Sequence, residues 1–236
     1  LKALEFLEKI GCPRYKISSF ELVDLELIRV VAATGKPLIL STGMATETEI
    51  GQAIDAAEEG SDLTVYLTIL KCSSAYPAPR DQLNLSAMRN MADTFHVPVG
   101  FSDHTLGHNA AMIATALGAV MIEKHLTLNR RDGGPDAGFS AEPGEFYDMV
   151  QACKAAAEYI GEPYLGPTES EKPQLNLRRS LYFAKDMKAG EIVSRGTYTT
   201  VRPALGLEPS LLPILLGKTL VHDVAYGKPM QMEDFK

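Results

Sequence analysis

The sequence has 236 residues, enough for one large domain and a small appendage. Hydrophobic residues make up 45% and charged residues 22%, the balance of a globular chain rather than a disordered one. With 23 basic against 30 acidic side chains the net charge is −7, which argues against a nucleic-acid surface and against a polybasic membrane anchor.

The three cysteines, Cys12, Cys72 and Cys153, are far apart and odd in number. They form neither a disulfide framework nor a zinc cluster, so a reducing cytoplasm is the expected compartment. The longest apolar run, Ala110 to Ile122, is too short to span a bilayer, and Gly118 interrupts it. No basic segment or signal-like core opens the chain. It starts at Leu1, without Met, in what reads as the middle of a helix.

Strand and helix then alternate. Tyr15 to Phe20 reads as a short strand, and a helix is expected from Asp24 to Ala33, ended by Gly35-Lys36-Pro37. Leu38 to Ser41 is the next strand. Thr46-Glu47-Thr48-Glu49 has the form of a capping box, so a helix begins there and runs through Glu58 until Gly60 closes it. The rhythm continues with strand Thr64 to Cys72, helix Leu85 to Phe95, strand Val97 to Phe101 and helix His108 to Leu117. Strand Val120 to Glu123 and helix Glu145 to Ile160 complete it. The strands are apolar at nearly every position, as expected when both faces are buried. This alternation implies a parallel α/β sheet or barrel. Five βα units cannot close an eight-stranded barrel. The chain is therefore either an open doubly wound sheet or a (β/α)8-type TIM barrel lacking its first three βα units. The mid-helix start favours the barrel.

The partial barrel is assigned to residues 1–161 and a polar, Pro-containing linker to 162–176. A small β-rich unit follows over 177–236, with strands at Arg179–Ala184 and Tyr198–Arg202, a turn at Lys188–Glu191 and a short helix at Leu211–Leu216.

In parallel α/β folds the site lies at the C-terminal ends of the strands. Here those ends carry Lys16-Ile-Ser-Ser-Phe-Glu21, Ser41-Thr-Gly43, Lys71-Cys-Ser-Ser-Ala-Tyr76, Ser102-Asp-His-Thr105 and Glu123-Lys-His125. His104 and His125 stand one βα repeat apart at equivalent strand ends, close enough for two imidazoles to share a divalent metal. Hydrogen bonding of each to a neighbouring carboxylate is the alternative. Lys16, Lys71 and Lys124 sit in or beside apolar strands, where a buried ammonium needs an anion. A phosphate or carboxylate ligand would supply it, with Ser19, Ser41 and Ser102 as donors; so would Glu21, Glu123 or Asp103 within the fold. Asp136, in the tight loop Asp132-Gly-Gly-Pro-Asp136, either faces the site or belongs to a surface turn. There is no phosphate-binding loop, dinucleotide fingerprint or nucleophile elbow.

At these positions the chain resembles the sialic acid synthase family. The matching strings, in order, are Lys16–Glu21, Leu40-Ser-Thr-Gly-Met-Ala-Thr46, Cys72-Ser-Ser-Ala-Tyr-Pro-Ala-Pro79, Gly100-Phe-Ser-Asp-His-Thr-Leu-Gly107, Ile122–His125, Gly134-Pro-Asp136, Lys188-Ala-Gly-Glu191 and Arg202-Pro-Ala-Leu-Gly206. The resemblance implies a TIM barrel followed by an antifreeze-like (SAF) domain. It also implies condensation of phosphoenolpyruvate with an open-chain acetamido sugar, giving a nonulosonic acid and phosphate with the help of Mn²⁺ or Mg²⁺. By the same matching, His104 and His125 would hold the metal. Lys16, Ser41 and Ser102 would bind phosphoenolpyruvate, with Ser19, Ser74 and Tyr76 nearby, and Glu21 and Asp136 would lie near the sugar. Arg202 would reach the sugar site of a partner subunit in a domain-swapped homodimer.

Lys16-Ile-Ser-Ser-Phe-Glu21, Leu70-Lys-Cys-Ser-Ser74 and Asp132-Gly-Gly-Pro-Asp-Ala-Gly-Phe-Ser140 resemble the pseudaminic acid synthase branch. That branch implies a 2,4-diacetamido-2,4,6-trideoxy-altrose substrate and a product carried on flagellin or surface glycans. An N-acetylneuraminate or legionaminate synthase is the alternative within the family. The family's N-terminal segment, with a catalytic carboxylate and another phosphoenolpyruvate-binding lysine, has no counterpart here, so the isolated chain is expected to be inactive. Ser74 stands where some relatives carry Asn, and Arg202 is followed by Pro-Ala-Leu-Gly rather than Pro-Gly-x-Gly. Two other classes compete: an aldolase forming a Schiff base on Lys16, Lys71 or Lys124, and a non-catalytic sugar-binding or assembly module.

Overall fold

The computed structural model describes residues 2–59 and 66–236. The chain divides into two compact units, Leu1–Glu162 and Pro163–Lys236.

In the first unit, α1 (Lys2–Lys9) leads into β1 (Tyr15–Ile17) and α2 (Leu25–Ala32). There follow β2 (Leu38–Ser41), α3 (Glu47–Glu58), β3 (Leu67–Cys72), α4 (Ala87–Phe95), β4 (Val99–Asp103), α5 (Asn109–Ala116), β5 (Ile122–Lys124) and α6 (Pro143–Ile160). Local chemistry sets most of these limits. The Asp24 carboxylate accepts from Leu27 N at 3.1 Å and starts α2. At α3 the expected capping box forms: Glu49 N donates to Thr46 Oγ1 at 3.3 Å and Thr46 N to Glu49 Oε2 at 2.7 Å. α6 starts two residues before the expected Glu145, because Glu142 and Glu145 build a second box and Pro143 fits the first helical turn. The expected closure at Gly60 and the first residues of the expected strand at Thr64 lie outside the described residues.

The five strands form one sheet in the order β1-β2-β3-β4-β5, every pair parallel. A doubly wound sheet reverses its strand order part-way. This one does not, and it curls, so it is part of a barrel wall. Its outer face carries Tyr15, Ile17, Leu38, Leu40, Leu67, Ile69, Val99 and Phe101, which pack with residues from the helices in one hydrophobic core. Side chains alternate along a strand. The other face, toward the lumen, therefore receives Lys16, Ile39, Ser41, Leu70, Cys72, Gly100, Ser102 and Glu123.

In the second unit β6 (Ser180–Phe183) pairs antiparallel with β7 (Tyr198–Val201), and α7 (Leu212–Leu215) is a single turn. Regular strand is sparser than the expected β-rich reading. Elsewhere isolated bridges join Met187 to Val224, Ile192 to Thr219 and Leu220 to Phe235. The core is Leu181, Phe183, Met187, Leu215, Leu220, Val224 and Met230. No described helix is long and apolar enough to cross a membrane.

Candidate active site at the strand ends

The C-terminal strand ends bring His104 and His125 together, with ring centroids 5.1 Å apart and nearly perpendicular planes. His104 directly follows β4 and His125 directly follows β5, both in lumen register. Tyr76 lies 4.4 Å from the His104 ring, and Phe139 packs 5.0 Å from His125 and 5.1 Å from Tyr76. These two aromatic rings flank the imidazoles.

His104 is buried, at 5% exposure. Its Nδ1 lies 2.8 Å from the Ser73 carbonyl, which can only accept, so the proton sits on Nδ1 and the Nε2 lone pair is free. Burial lowers the basicity of His104, but Cys72, the Ser73 carbonyl and Glu123 outweigh it and leave its pKa raised. His125 is shifted down, by burial first and then by the neighbouring His104. Its Nδ1 lies 3.5 Å from Asp136 Oδ2. A fixed Nδ1–H tautomer on one imidazole and a neutral second imidazole beside a carboxylate are a donor set that suits a borderline divalent cation. Among the described residues no group of three His, Cys, Asp or Glu is assembled as a metal cage, so water and substrate would supply the remaining positions.

Around this pair lie small hydroxyls and one lysine. Ser41 and Ser102 are both 1% exposed and Ser19 is 8% exposed. Among the described residues the buried Ser41 and Ser74 hydroxyls and Glu123 Oε2 find no hydrogen-bond partner. Buried polar atoms are almost always satisfied, so three orphans at neighbouring strand ends point to a polar ligand. Ser19 Oγ accepts from Gly43 N at 2.9 Å. A Cβ on Gly43 would lie 2.2 Å from Ser74 Oγ and 2.9 Å from Ser19 Oγ, so only glycine lets these serines approach. Lys16 Nζ pairs with Glu123 Oε1 at 3.1 Å.

The other expected residues fall elsewhere. Glu21 accepts from the Ser18 hydroxyl and lines a cavity of about 280 Å³ with Leu4, Leu7 and Lys16, at the β1 edge of the sheet. Lys71 alternates with Cys72 and so leaves the lumen. It borders a cavity of about 250 Å³ with residues of α3 and α4, donates to the Cys72 carbonyl at 3.0 Å, and is shifted down by burial. Lys124 also faces outward, paired with Asp103 at 2.7 Å. Arg202 follows β7 in the second unit, before a cis Arg202–Pro203 bond.

The sequence reading counts Glu123 and Cys72 among the polar strand ends but gives neither a role in the site beyond pairing Glu123 with a lysine. Alternation with Lys124 and Lys71 would have placed both in the lumen. Cys72 lies 3.8 Å from His104 Nδ1. Burial opposes its ionisation, but the His104, Ser19 and Ser102 side chains prevail and hold the thiol below its ordinary range.

Residues 1–164 match the NeuB family model. The chain is 40% identical over 237 residues to a pseudaminic acid synthase of Helicobacter pylori, covering 100% of this chain and 69% of that protein. It is 37% identical over 219 residues to an N,N'-diacetyllegionaminic acid synthase of Campylobacter jejuni, covering 92% of this chain and 66% of that protein. Among solved structures it resembles an N-acetylneuraminic acid (sialic acid) synthetase of Leptospira borgpetersenii. The TM-score is 0.68 at 32% identity, with 74% of this chain and 60% of that one covered.

Proposed function

The chain belongs to the NeuB family, and from that premise we propose that it acts as a phosphoenolpyruvate-dependent nonulosonic acid synthase of the pseudaminic acid branch. The observation that carries the reading is the convergence of two imidazoles, 5.1 Å apart, beside three buried polar atoms without partners. The two imidazoles suit a metal and the two serine hydroxyls can donate to an oxygen-rich anion, while Glu123 Oε2 calls for a donor.

In this reading Lys16 and the hydroxyls of Ser41, Ser74 and Ser102 hold the phosphate and carboxylate of phosphoenolpyruvate. Ser19 acts from behind, through the amide of Gly43. His104 and His125 would hold Mn²⁺ or Mg²⁺, and such an ion would supply Lewis-acid polarisation of the sugar's aldehyde oxygen. The C2–C3 π electrons of phosphoenolpyruvate form a bond from C3 to the aldehyde carbon as the aldehyde C=O π bond opens. Water adds at the electron-poor C2, one of its protons balancing the one taken up by the aldehyde oxygen, which becomes a hydroxyl. The C2–oxygen bond to phosphate then breaks as the new C2 hydroxyl gives up its proton and becomes the keto group. Lys16 and the serine hydroxyls balance the anion through these steps. Glu123 Oε2, buried and without a partner, is placed to accept a hydrogen bond in the lumen. Phe139, buried, forms one wall of the site, and Tyr76 stands at its solvent-exposed rim. Asp136, beside His125, is assigned to the sugar.

Three assignments follow the family resemblance. Residues of the second unit form the antifreeze-like domain, Arg202 contributes to a partner's sugar site in a domain-swapped homodimer, and Glu21 reaches the sugar. The pseudaminic branch is supported by 40% identity to such a synthase, against 37% to a legionaminic one. Legionaminic acid synthesis is therefore the second reading.

Phosphate release from phosphoenolpyruvate, measured on the product of the complete open reading frame with each acetamido sugar in turn, tests this. Turnover with the altrose-type sugar is expected. Turnover only with the legionaminic precursor would move the protein to the second reading. Phosphoenolpyruvate hydrolysis indifferent to either sugar would overturn the synthase assignment.

A further inference from the structure

Directly behind the two imidazoles, on the outer face of the sheet, lies a buried ion pair. Lys124 Nζ meets Asp103 Oδ2 at 2.7 Å, with side chains 3% and 0% exposed. Asp103 and Lys124 are register partners on β4 and β5. Each is the residue immediately before a candidate ligand, His104 and His125. The pair does not stop at the two strands. Asp103 Oδ1 accepts from both Thr105 N, at 2.9 Å, and Thr105 Oγ1, at 2.8 Å. Lys124 Nζ donates to the Thr105 carbonyl at 2.6 Å. The backbone of His104 is therefore held from both sides, by Asp103 before it and Thr105 after it. The ammonium that fastens this turn belongs to the neighbour of His125.

A buried ion pair is weak evidence for stability, because an apolar pair of similar volume is often as stable or more so. What such a pair does supply is a fixed relative position. We propose that the Asp103–Lys124–Thr105 clasp positions the two imidazoles, setting their separation and approach for the shared metal. Both residues are positioning residues; neither reaches the lumen. The inference rests on the reading of His104 and His125 as metal ligands.

The test replaces the pair by apolar residues, D103L/K124M, in the full protein. Mn²⁺ affinity is measured by electron paramagnetic resonance of the free ion, with thermal unfolding as the control. A folded double variant that binds Mn²⁺ at least tenfold more weakly is expected. A folded double variant with unchanged affinity would overturn the proposal. Where the double variant does not fold, D103N keeps the volume and the Thr105 contacts. There a threefold or greater loss is expected, and no loss would overturn it. Nitrogen-15 spectra of the imidazoles without metal separate this inference from the functional reading. If the unmodified protein binds no Mn²⁺, the metal reading fails by itself. The clasp then stands or falls on whether the variant shifts the His104 and His125 ring resonances from those of the unmodified protein; unshifted resonances would overturn it.

Discussion

Lys16 of β1 and Glu123 of β5 form an ion pair at 3.1 Å although they belong to opposite edges of the five-stranded sheet. In a flat sheet four strand spacings would separate them by about 19 Å, beyond the combined reach of the two side chains. The pair therefore reports the curl of the wall. It also shows that both side chains cross the same lumen, where a substrate anion would compete with Glu123 for the ammonium. Glu123→Gln is expected to strengthen inorganic phosphate binding severalfold, because Lys16 is no longer shared. Lys16→Met should weaken it about tenfold, the loss of one charge-assisted hydrogen bond. Isothermal titration with phosphate checks both, and weaker binding in Glu123→Gln would contradict the shared-lysine account.

Ser41 separates a ligand role from a structural one. Its buried hydroxyl has no partner among the described residues. Removing such a group relieves a desolvation cost, so Ser41→Ala should leave stability unchanged or raise it by about 1 kcal/mol. Phosphoenolpyruvate affinity should fall about tenfold at the same time. Thermal unfolding beside a titration with phosphoenolpyruvate measures the two, and a loss of stability with intact affinity would make Ser41 a structural residue.

Two glycines make contrasting predictions. A Cβ on Gly100 would lie 2.6 Å from the Met121 carbonyl oxygen and 2.6 Å from Leu70 Cδ2. The backbone contact cannot yield cheaply, so Gly100→Ala should cost about 1–3 kcal/mol. At Gly43 the obstacles are side chains, the hydroxyls of Ser74 and Ser19. Gly43→Ala should therefore weaken phosphoenolpyruvate binding more than it lowers the melting temperature. Chemical denaturation of both variants tests the ranking.

The second unit carries its own pH dependence. Asp234 is fully buried, accepts from Gln231 N at 2.8 Å and from His222 Nε2 at 2.8 Å, and pairs with Lys228. Burial raises its pKa, but Lys228 and the Gln231 amide outweigh that and leave it below the ordinary value. The folded carboxyl thus binds its proton less tightly than the unfolded one. The resulting stability is complete above about pH 4 and fades as pH falls through the lower folded value. Asp234→Asn should unfold earlier at neutral pH, and its difference from the parent should shrink as the pH falls below about 4. Melting curves from neutral pH down to about pH 3 would show this, and a difference that grew toward acid would contradict it.

Much of the fold was legible because capping chemistry and apolar runs are local. The limits of β2 were read directly from Leu38–Ser41, and the start of α3 from Thr46 and Glu49. β4 was expected to stop at Phe101 but runs to Asp103. Its last two residues are polar for separate reasons: Ser102 faces the lumen and Asp103 is neutralised by Lys124. A hydrophobicity reading ends where such residues begin. The strand-end histidines were visible as a pair one repeat apart. The roles of the three lysines were not, because Lys16, Lys71 and Lys124 look alike in sequence. Strand alternation places Lys16 in the lumen and the other two behind it. The second unit was harder to read, since single bridges leave little periodic signal.

The most direct measurement is Mn²⁺-dependent phosphate release from phosphoenolpyruvate and the acetamido sugar by the full protein, its His104→Ala variant and its His125→Ala variant. Mn²⁺ binding is followed in the same samples. The account predicts that each variant folds, binds Mn²⁺ at least tenfold more weakly and loses more than 99% of sugar-dependent turnover, a barrier increase of about 3 kcal/mol. Variants that kept turnover, or lost it with Mn²⁺ binding intact, would contradict a metal held between His104 and His125.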